Sequence, residues 1–253
     1  MKTTIRKTCL MLWAGVALAS CTKNDDINPD DGTSGDLLLV EEKVNGQTLH
    51  SFEYNEDNQM TIRRIHSMDG RIDQTQFSYD SKGLMLGASH TSGGEHIYTE
   101  QYTYDSEDRV ISGIWNYNDG AVSIQYDYSG NTVSEIALNK EGEEISHNSY
   151  TFDNSGKNIM KIAIAVGGIV QSTQEYSDYD DKHYRYTAYP WPWKLRSSNN
   201  AKSYKLTNAL GFTLDHIWQY TYNDAGYPKK AEVYDHESNE LVETREFIYI
   251  PSK

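Results

Sequence analysis

Phe77-Ser78-Tyr79-Asp80-Ser81-Lys82-Gly83 is the stretch that decides the fold. In an extended chain side chains alternate between faces, so the two aromatic rings, one residue apart, lie on the same side. The aspartate that follows folds its carboxylate back onto the backbone, and the glycine three residues later supplies the positive φ that ends a tight turn. Working outward, the pattern recurs at Phe52/Tyr54, Tyr102/Tyr104, Tyr126/Tyr128, Tyr150/Phe152, Tyr176/Tyr179, Tyr220/Tyr222 and Phe247/Tyr249. The second aromatics are 24 to 27 residues apart, with one interval of 43. A fixed period of this length marks a repeat architecture.

Each unit carries a second turn: Asp69-Gly70, Gly93-Gly94, Asp119-Gly120, Glu141-Gly142 and Gly167-Gly168. Asp-Gly and Gly-Gly between alternating segments are hairpin signals. The segments between them alternate, as in Val122, Ile124, Tyr126 and Tyr128 against Ala121, Ser123, Gln125 and Asp127. Two strands per unit over eight units predict an all-β, antiparallel up-and-down meander of about 16 strands. A flat sheet that wide does not stay open, so the meander is expected to curl into a roll, a wide barrel or two packed layers. Ile159 to Val166, apolar at nearly every position, is the segment expected to be buried on both faces. With 20 Tyr against 5 Phe, the interior is expected to be tyrosine-lined and partly wet.

The formal charge of −14 excludes nucleic acid as a partner, because binding phosphates needs clustered cations. Lys2, Arg6 and Lys7 precede the apolar run Leu10 to Leu18, which reads as a secretory signal over residues 1–20. Leu18-Ala19-Ser20-Cys21 resembles the lipobox of bacterial lipoproteins, which implies that Cys21 is acylated and becomes the mature N-terminus. Cys9 then leaves with the signal, and no thiol remains for catalysis or a disulfide. Thr22-Lys23-Asn24-Asp25-Asp26 resembles the export signal that sends some lipoproteins of gut Gram-negative bacteria to the outer face of the outer membrane. Residues 21–36 read as a lipidated cysteine and flexible acidic tether, and 37–253 as one repeat-built domain with an insert around 183–205.

The aromatic-x-aromatic-Asp-x-x-Gly unit resembles the YD repeat of RHS-type shells, most closely at Phe77–Gly83, at Tyr150–Phe152–Asp153 with Gly156, and at Tyr220–Tyr222–Asn223 with Gly226. It departs from that repeat at Asp108, where glycine is expected, at Asn223, and in lacking the arginine that often precedes the aromatic pair. Together with the lipobox, the chain resembles a family of uncharacterised surface lipoproteins with a porin-like fold. That resemblance implies a meander closing on itself and no activity. A lipid-facing wall is excluded where Arg71 to Tyr79 puts polar groups on both faces.

The long interval holds Tyr184-Arg185-Tyr186-Thr187-Ala188-Tyr189-Pro190-Trp191-Pro192-Trp193. Insertions into repeat arrays map to loops on one face, often the binding face. Tyr186, Tyr189, Trp191 and Trp193 are therefore the candidate ligand-binding residues, suited to stacking on sugar rings or anchoring a protein. The alternative is that Trp191 and Trp193 plug the open end of the roll. Asp178, Asp180, Asp181 and His183 read as a solvated turn, and His90 and His96, flanking Ser92-Gly93-Gly94, as facing residues of a hairpin too few for a metal site. No catalytic motif, metal site or cofactor signature is found, and 37 acidic residues make any carboxylate pair uninformative. The sequence favours a surface-displayed binding module for glycan or protein. Behind it stand a structural or accessory component of an envelope complex and a carbohydrate-active enzyme.

Overall fold

The structure is a computed structural model that describes residues 36–186, 188–191 and 197–253. The signal segment, Cys21, nearly all of the tether, and Trp193 lie outside the described residues. Sixteen strands follow one another: β1 Leu37–Val44, β2 Gln47–Tyr54, β3 Met60–His66, β4 Ile72–Tyr79, β5 Met85–Ser92, β6 Glu95–Tyr104, β7 Val110–Tyr117 and β8 Gly120–Ser129 make the first half. The second half is β9 Thr132–Leu138, β10 Glu144–Phe152, β11 Ile159–Val166, β12 Ile169–Tyr179, β13 Ala201–Asn208, β14 Thr213–Tyr222, β15 Pro228–Asp235 and β16 Leu241–Pro251. Every neighbouring pair is antiparallel, and β1 pairs β16 from Leu37↔Pro251 to Val44↔Arg245, closing the meander into a barrel. Among the described residues there is no helix. The all-β meander of about 16 strands read from the repeat is the fold observed.

The turns explain the repeat. Asp80 Oδ1 accepts hydrogen bonds from the N–H groups of Lys82 and Leu84, Asp105 Oδ1 from Glu107 and Arg109, and Asp153 Oδ1 from Ser155 and Lys157. Asn55 does the same to Asp57 and Gln59, and Asn223 to Tyr227. Only a side-chain oxygen is needed, so Asn223 is no departure in function. The position three residues on has φ +87° at Gly83 and +69° at Gly156, and Asp108 takes the same left-handed conformation at +58°. Asp and Asn tolerate that region better than other side-chain-bearing residues.

In six of the eight units a tyrosine hydroxyl, usually of the second aromatic, staples its strand to the preceding one. Tyr54 Oη donates to Leu39 O at 2.7 Å, Tyr79 to Met60 O at 2.6 Å, Tyr104 to Met85 O at 2.6 Å and Tyr128 to Val110 O at 2.9 Å. Tyr179 and Tyr220 repeat this to Ile159 O and Ala201 O. Phenylalanine cannot donate, which accounts for the excess of tyrosine. A register shift, one residue early, accompanies the anchor at Ser78/Tyr79, Thr103/Tyr104, Thr151/Phe152 and Thr221/Tyr222, so the wall bends at the same height around this end.

Cross-strand partners share a face, and the register sorts inside from outside. Phe77↔Ala88, Tyr102↔Gly113 and Tyr150↔Ile162 face the lumen with the buried core. Gln76↔Ser89, Gln101↔Ile114 and Gln125↔Ile136 face out, as do Gln219↔Glu232 and Glu232↔Thr244. Most of the exposed large hydrophobics, including Met68, Ile169, Val170, Leu210, Phe212 and Leu241, sit at the hairpin-turn rim and form no belt around the barrel. A lipid-facing barrel needs an apolar outward residue at every second position over a band of about 25 Å. This wall mixes isoleucines with glutamine, serine, threonine and glutamate and has no such band.

Three expectations need correction. Residues 201–205 belong to β13, where Tyr204 pairs Tyr176, so the insert is the 180–200 connection and not 183–205. Ile159 to Val166 is not buried on both faces. In a single-layer wall one face must point out, and Met160, Lys161 and Val166 are exposed. His90 and His96 do not face one another. A bulge at His90/Thr91 and a two-residue turn at Gly93-Gly94 pair His96 with Thr91 and His90 with Tyr98.

Candidate functional site

Sixteen strands enclose more room than their own side chains fill. The 180–200 connection enters that room from the anchor-turn end, where Tyr179 pairs Ala201. Asp180 organises its base, with Oδ1 accepting from the backbone N–H groups of Lys182 and Asn200 and Oδ2 from Tyr222 Oη. Within the acidic cluster, Asp180 is thus a turn organiser. Fully buried Asn200 donates to His183 O at 2.8 Å, and His183 stacks on Tyr227 at 4.4 Å.

The insert reaches the walls through polar tips. Tyr186 Oη donates to Glu42 on β1, Trp191 Nε1 to Glu100 Oε2 on β6 at 3.2 Å, and Arg185 Nη1 to Tyr220 Oη on β14 at 3.1 Å. Arg63 on β3 donates to Tyr189 Oη at 3.2 Å. Trp191 is 7% exposed and packs edge-on against Phe77 at 4.9 Å. Of the four candidate residues, Tyr186, Tyr189 and Trp191 point into the lumen together, and Trp193 lies outside the described residues. The described part of the insert is packed inward rather than displayed.

Among the described residues three glutamates are buried, each held by donors. Glu42, with no exposed surface, receives Arg245 Nη1 at 2.7 Å and His50 Nδ1 at 2.8 Å besides Tyr186. Burial alone raises its pKa, but the His50 hydrogen bond and the fields of Arg185 and Arg245 outweigh it and hold the carboxyl far below the ordinary glutamate range. Glu100 accepts from Tyr102 Oη at 2.6 Å as well as Trp191, and Glu135 from Tyr126 Oη at 2.8 Å and Asn148 Nδ2 at 3.0 Å.

Beside the insert lies a cavity of about 410 Å³, within the roughly 300–1,000 Å³ of small-molecule sites. Tyr176, Tyr179, Tyr184, Tyr186, Tyr189, Tyr204 and Tyr220 wall it with Trp218, and Arg63, Arg185, Arg245, His216 and Glu243 supply the polar groups. A second hollow of about 440 Å³ shares Arg63 and Tyr189 and continues past Trp191 to His90 and Tyr98. Arg185 is clasped by rings, its guanidinium carbon 5.0 Å from the centroids of both Tyr186 and Trp218. Arg245 lies 4.7 Å over Trp218 and is paired with Glu243 at 2.6 Å. Trp218 is 9% exposed, and among the described residues its indole Nε1 has no hydrogen-bond partner; neither has Arg185 Nε. Burial pushes the Tyr220 hydroxyl up to about 12, so it stays protonated at neutral pH.

Trp218, Arg63, Arg245 and Glu42 were not singled out by the sequence. Trp218 was legible, since it alternates with Leu214, His216, Tyr220 and Tyr222 on one face. So was Arg245, which alternates with Phe247 and Tyr249 on one face. Arg63 and Glu42 were not. Register shifts at Glu53/Tyr54 opposite Met60 and at Leu39/Glu41 reverse which residues point inward.

No family model matches the chain, and no curated protein matches it. Among solved structures, a porin-like protein from Bacteroides uniformis aligns with a TM-score of 0.52 at 13% identity, over 85% of this chain and 95% of that one. A porin-like protein from Bacteroides vulgatus aligns with a TM-score of 0.42 at 14% identity, over 85% and 99%. The toxin-complex structure TcdB2-TccC3-TEV aligns with a TM-score of 0.19 at 14% identity, over 77% of this chain and 9% of that one. At 13% identity the first of these likenesses is one of fold: a barrel of porin-like architecture, with the mixed outer wall described above.

Proposed function

We propose that this chain is a non-catalytic binding module, carried to the outer face of a bacterial outer membrane by lipid on Cys21, whose lumen receives a saccharide. The lipobox-like Leu18–Cys21 segment and the acidic stretch behind it support the address. YD-like repeats support a shell that encloses rather than conducts. The observation that carries the reading is the cavity beside the insert, where tyrosines and Trp218 offer flat apolar faces and the buried Trp218 indole N–H lacks an acceptor. Aromatic faces stack on sugar rings while the polar edges take hydroxyls. Recognition thus moves from the exposed rim expected for Tyr186, Tyr189 and Trp191 to the lumen they wall.

The reading is non-catalytic because a glycosidase needs a carboxylic acid with a raised pKa, and Glu42 is shifted the opposite way. Glu243, the carboxylate lining the cavity, is committed to Arg245. A glycan array followed by calorimetry tests the proposal. Binding is expected to change Trp218 fluorescence and to weaken about tenfold in Trp218→Phe, which keeps the ring and loses the donor. Binding that is indifferent to Trp218→Phe and to Tyr204→Ala moves the site out of the lumen.

A further inference from the structure

The cavity is electropositive inside an acidic protein. Three arginines line it against two carboxylates, Glu243 in the lining and Glu42 behind it, while the whole chain carries −14. Arg245 is neutralised by Glu42 and Glu243 at 2.7 and 2.6 Å. Arg63 and Arg185 make no direct ion pair: among the described residues neither has a carboxylate within 4.0 Å, and Arg185 feels Glu42 only at longer range. A guanidinium does not shed its proton on burial, so its charge must be met by something. Here the partial answer is rings and hydroxyls. Arg185 rests against Tyr184, Tyr186 and Trp218 and donates to Tyr220, and its Nε is left over. Arg63 lies 5.9 Å from the Tyr189 centroid and donates to Tyr189 Oη and, at 3.4 Å, to His50 Nε2. His50 in turn bonds Glu42, so the carboxylate that would pair Arg63 is reached only through an imidazole.

A planar fork with spare donors, set among aromatic rings, matches a carboxylate in bidentate fashion. The neighbouring tyrosines and Trp218 match a ring. We infer that the ligand is an acidic saccharide whose carboxylate sits between Arg63 and Arg185 while its ring lies against the aromatic wall, an inference that rests on the lumenal binding proposed above. The unpartnered Trp218 N–H supplies a further donor to the ring oxygens or hydroxyls.

The test uses the full mature chain and a panel of uronic acids and N-acetylneuraminate, as monosaccharides and disaccharides, each offered as the free carboxylate and as its methyl ester. The ester keeps the ring and removes only the charge. The acid is expected to bind about 10- to 100-fold more tightly than its ester, the range of a charge-assisted hydrogen bond. Arg63→Gln is expected to bring the affinity for the acid down toward that of its ester, with Arg185 retaining part of the preference. Arg63→Lys, which keeps the charge but not the fork, is expected to fall between. Circular dichroism of both variants confirms the fold, and Arg63→Lys reads the fork even if the Gln variant does not fold. Equal affinity for acid and ester overturns the inference and leaves a neutral-sugar site standing. An acid preference undiminished in both Arg63 variants overturns the assignment of the carboxylate. Failure of every acid, ester and neutral glycan to bind removes the lumenal site itself.

Discussion

Replacing Glu42 by Gln tests how the insert is tied to the barrel. The carboxylate has no exposed surface and meets two charged hydrogen bonds, from Arg245 at 2.7 Å and His50 at 2.8 Å, plus the Tyr186 hydroxyl from the insert. Glutamine keeps the volume and one acceptor oxygen, but the charge that offsets Arg185 and Arg245 is gone. Breaking a buried pair by removing one partner costs about 3–5 kcal/mol, and with an acceptor retained the lower half of that range is expected. Urea unfolding followed by tryptophan fluorescence measures it, since Trp218 lies over Arg245. The pH dependence has a definite sign. The folded carboxyl is held below its ordinary value of 4.5, so its contribution is complete above that value and is lost as the pH falls through the depressed folded value. The gap between wild type and Glu42→Gln should be constant from pH 7 to about 5 and narrow below 4.5. Other depressed carboxylates, such as Glu232 and Asp235, are common to both proteins and cancel. A gap under about 1 kcal/mol at pH 7, or one of unchanged size in acid, refutes the view that Glu42 is an ionised tie.

Two further substitutions test the wall. Tyr104→Phe removes the 2.6 Å staple to Met85 O and should cost about 0.5–1.5 kcal/mol in urea unfolding, with Tyr79→Phe costing a similar amount; an unchanged midpoint in both would mean that water replaces the hydroxyl at no loss. Gly87→Ala puts a Cβ 2.1 Å from the Glu100 carbonyl and should cost about 2–4 kcal/mol, whereas Gly94→Ala meets nothing within 4 Å and should cost only the backbone strain of its φ of +87°, about 1 kcal/mol; equal losses would refute the close approach of β5 to β6.

What the sequence determined by itself is everything set by local chemistry at short range. An Asp or Asn oxygen capturing two N–H groups, a residue able to take positive φ, and two aromatics on one face fix a hairpin wherever they occur, so recurrence of the motif amounts to the strand count. The interior was legible for the same reason, since Tyr126 and Tyr128 or Trp218 and Tyr220 alternate without interruption between a turn and its bulge. Closure, and the contents of the lumen, were decided only in three dimensions. β1 meets β16 across the whole chain, and no local pattern encodes that pairing. A one-residue register shift turned Glu42 and Arg63 inward, while the insert carried Arg185 beside them from a segment that reads equally well as plug or platform. A charge alternates with the wall until a bulge moves it, and a loop's destination depends on the room the closed barrel leaves it. Both are properties of the assembled sheet.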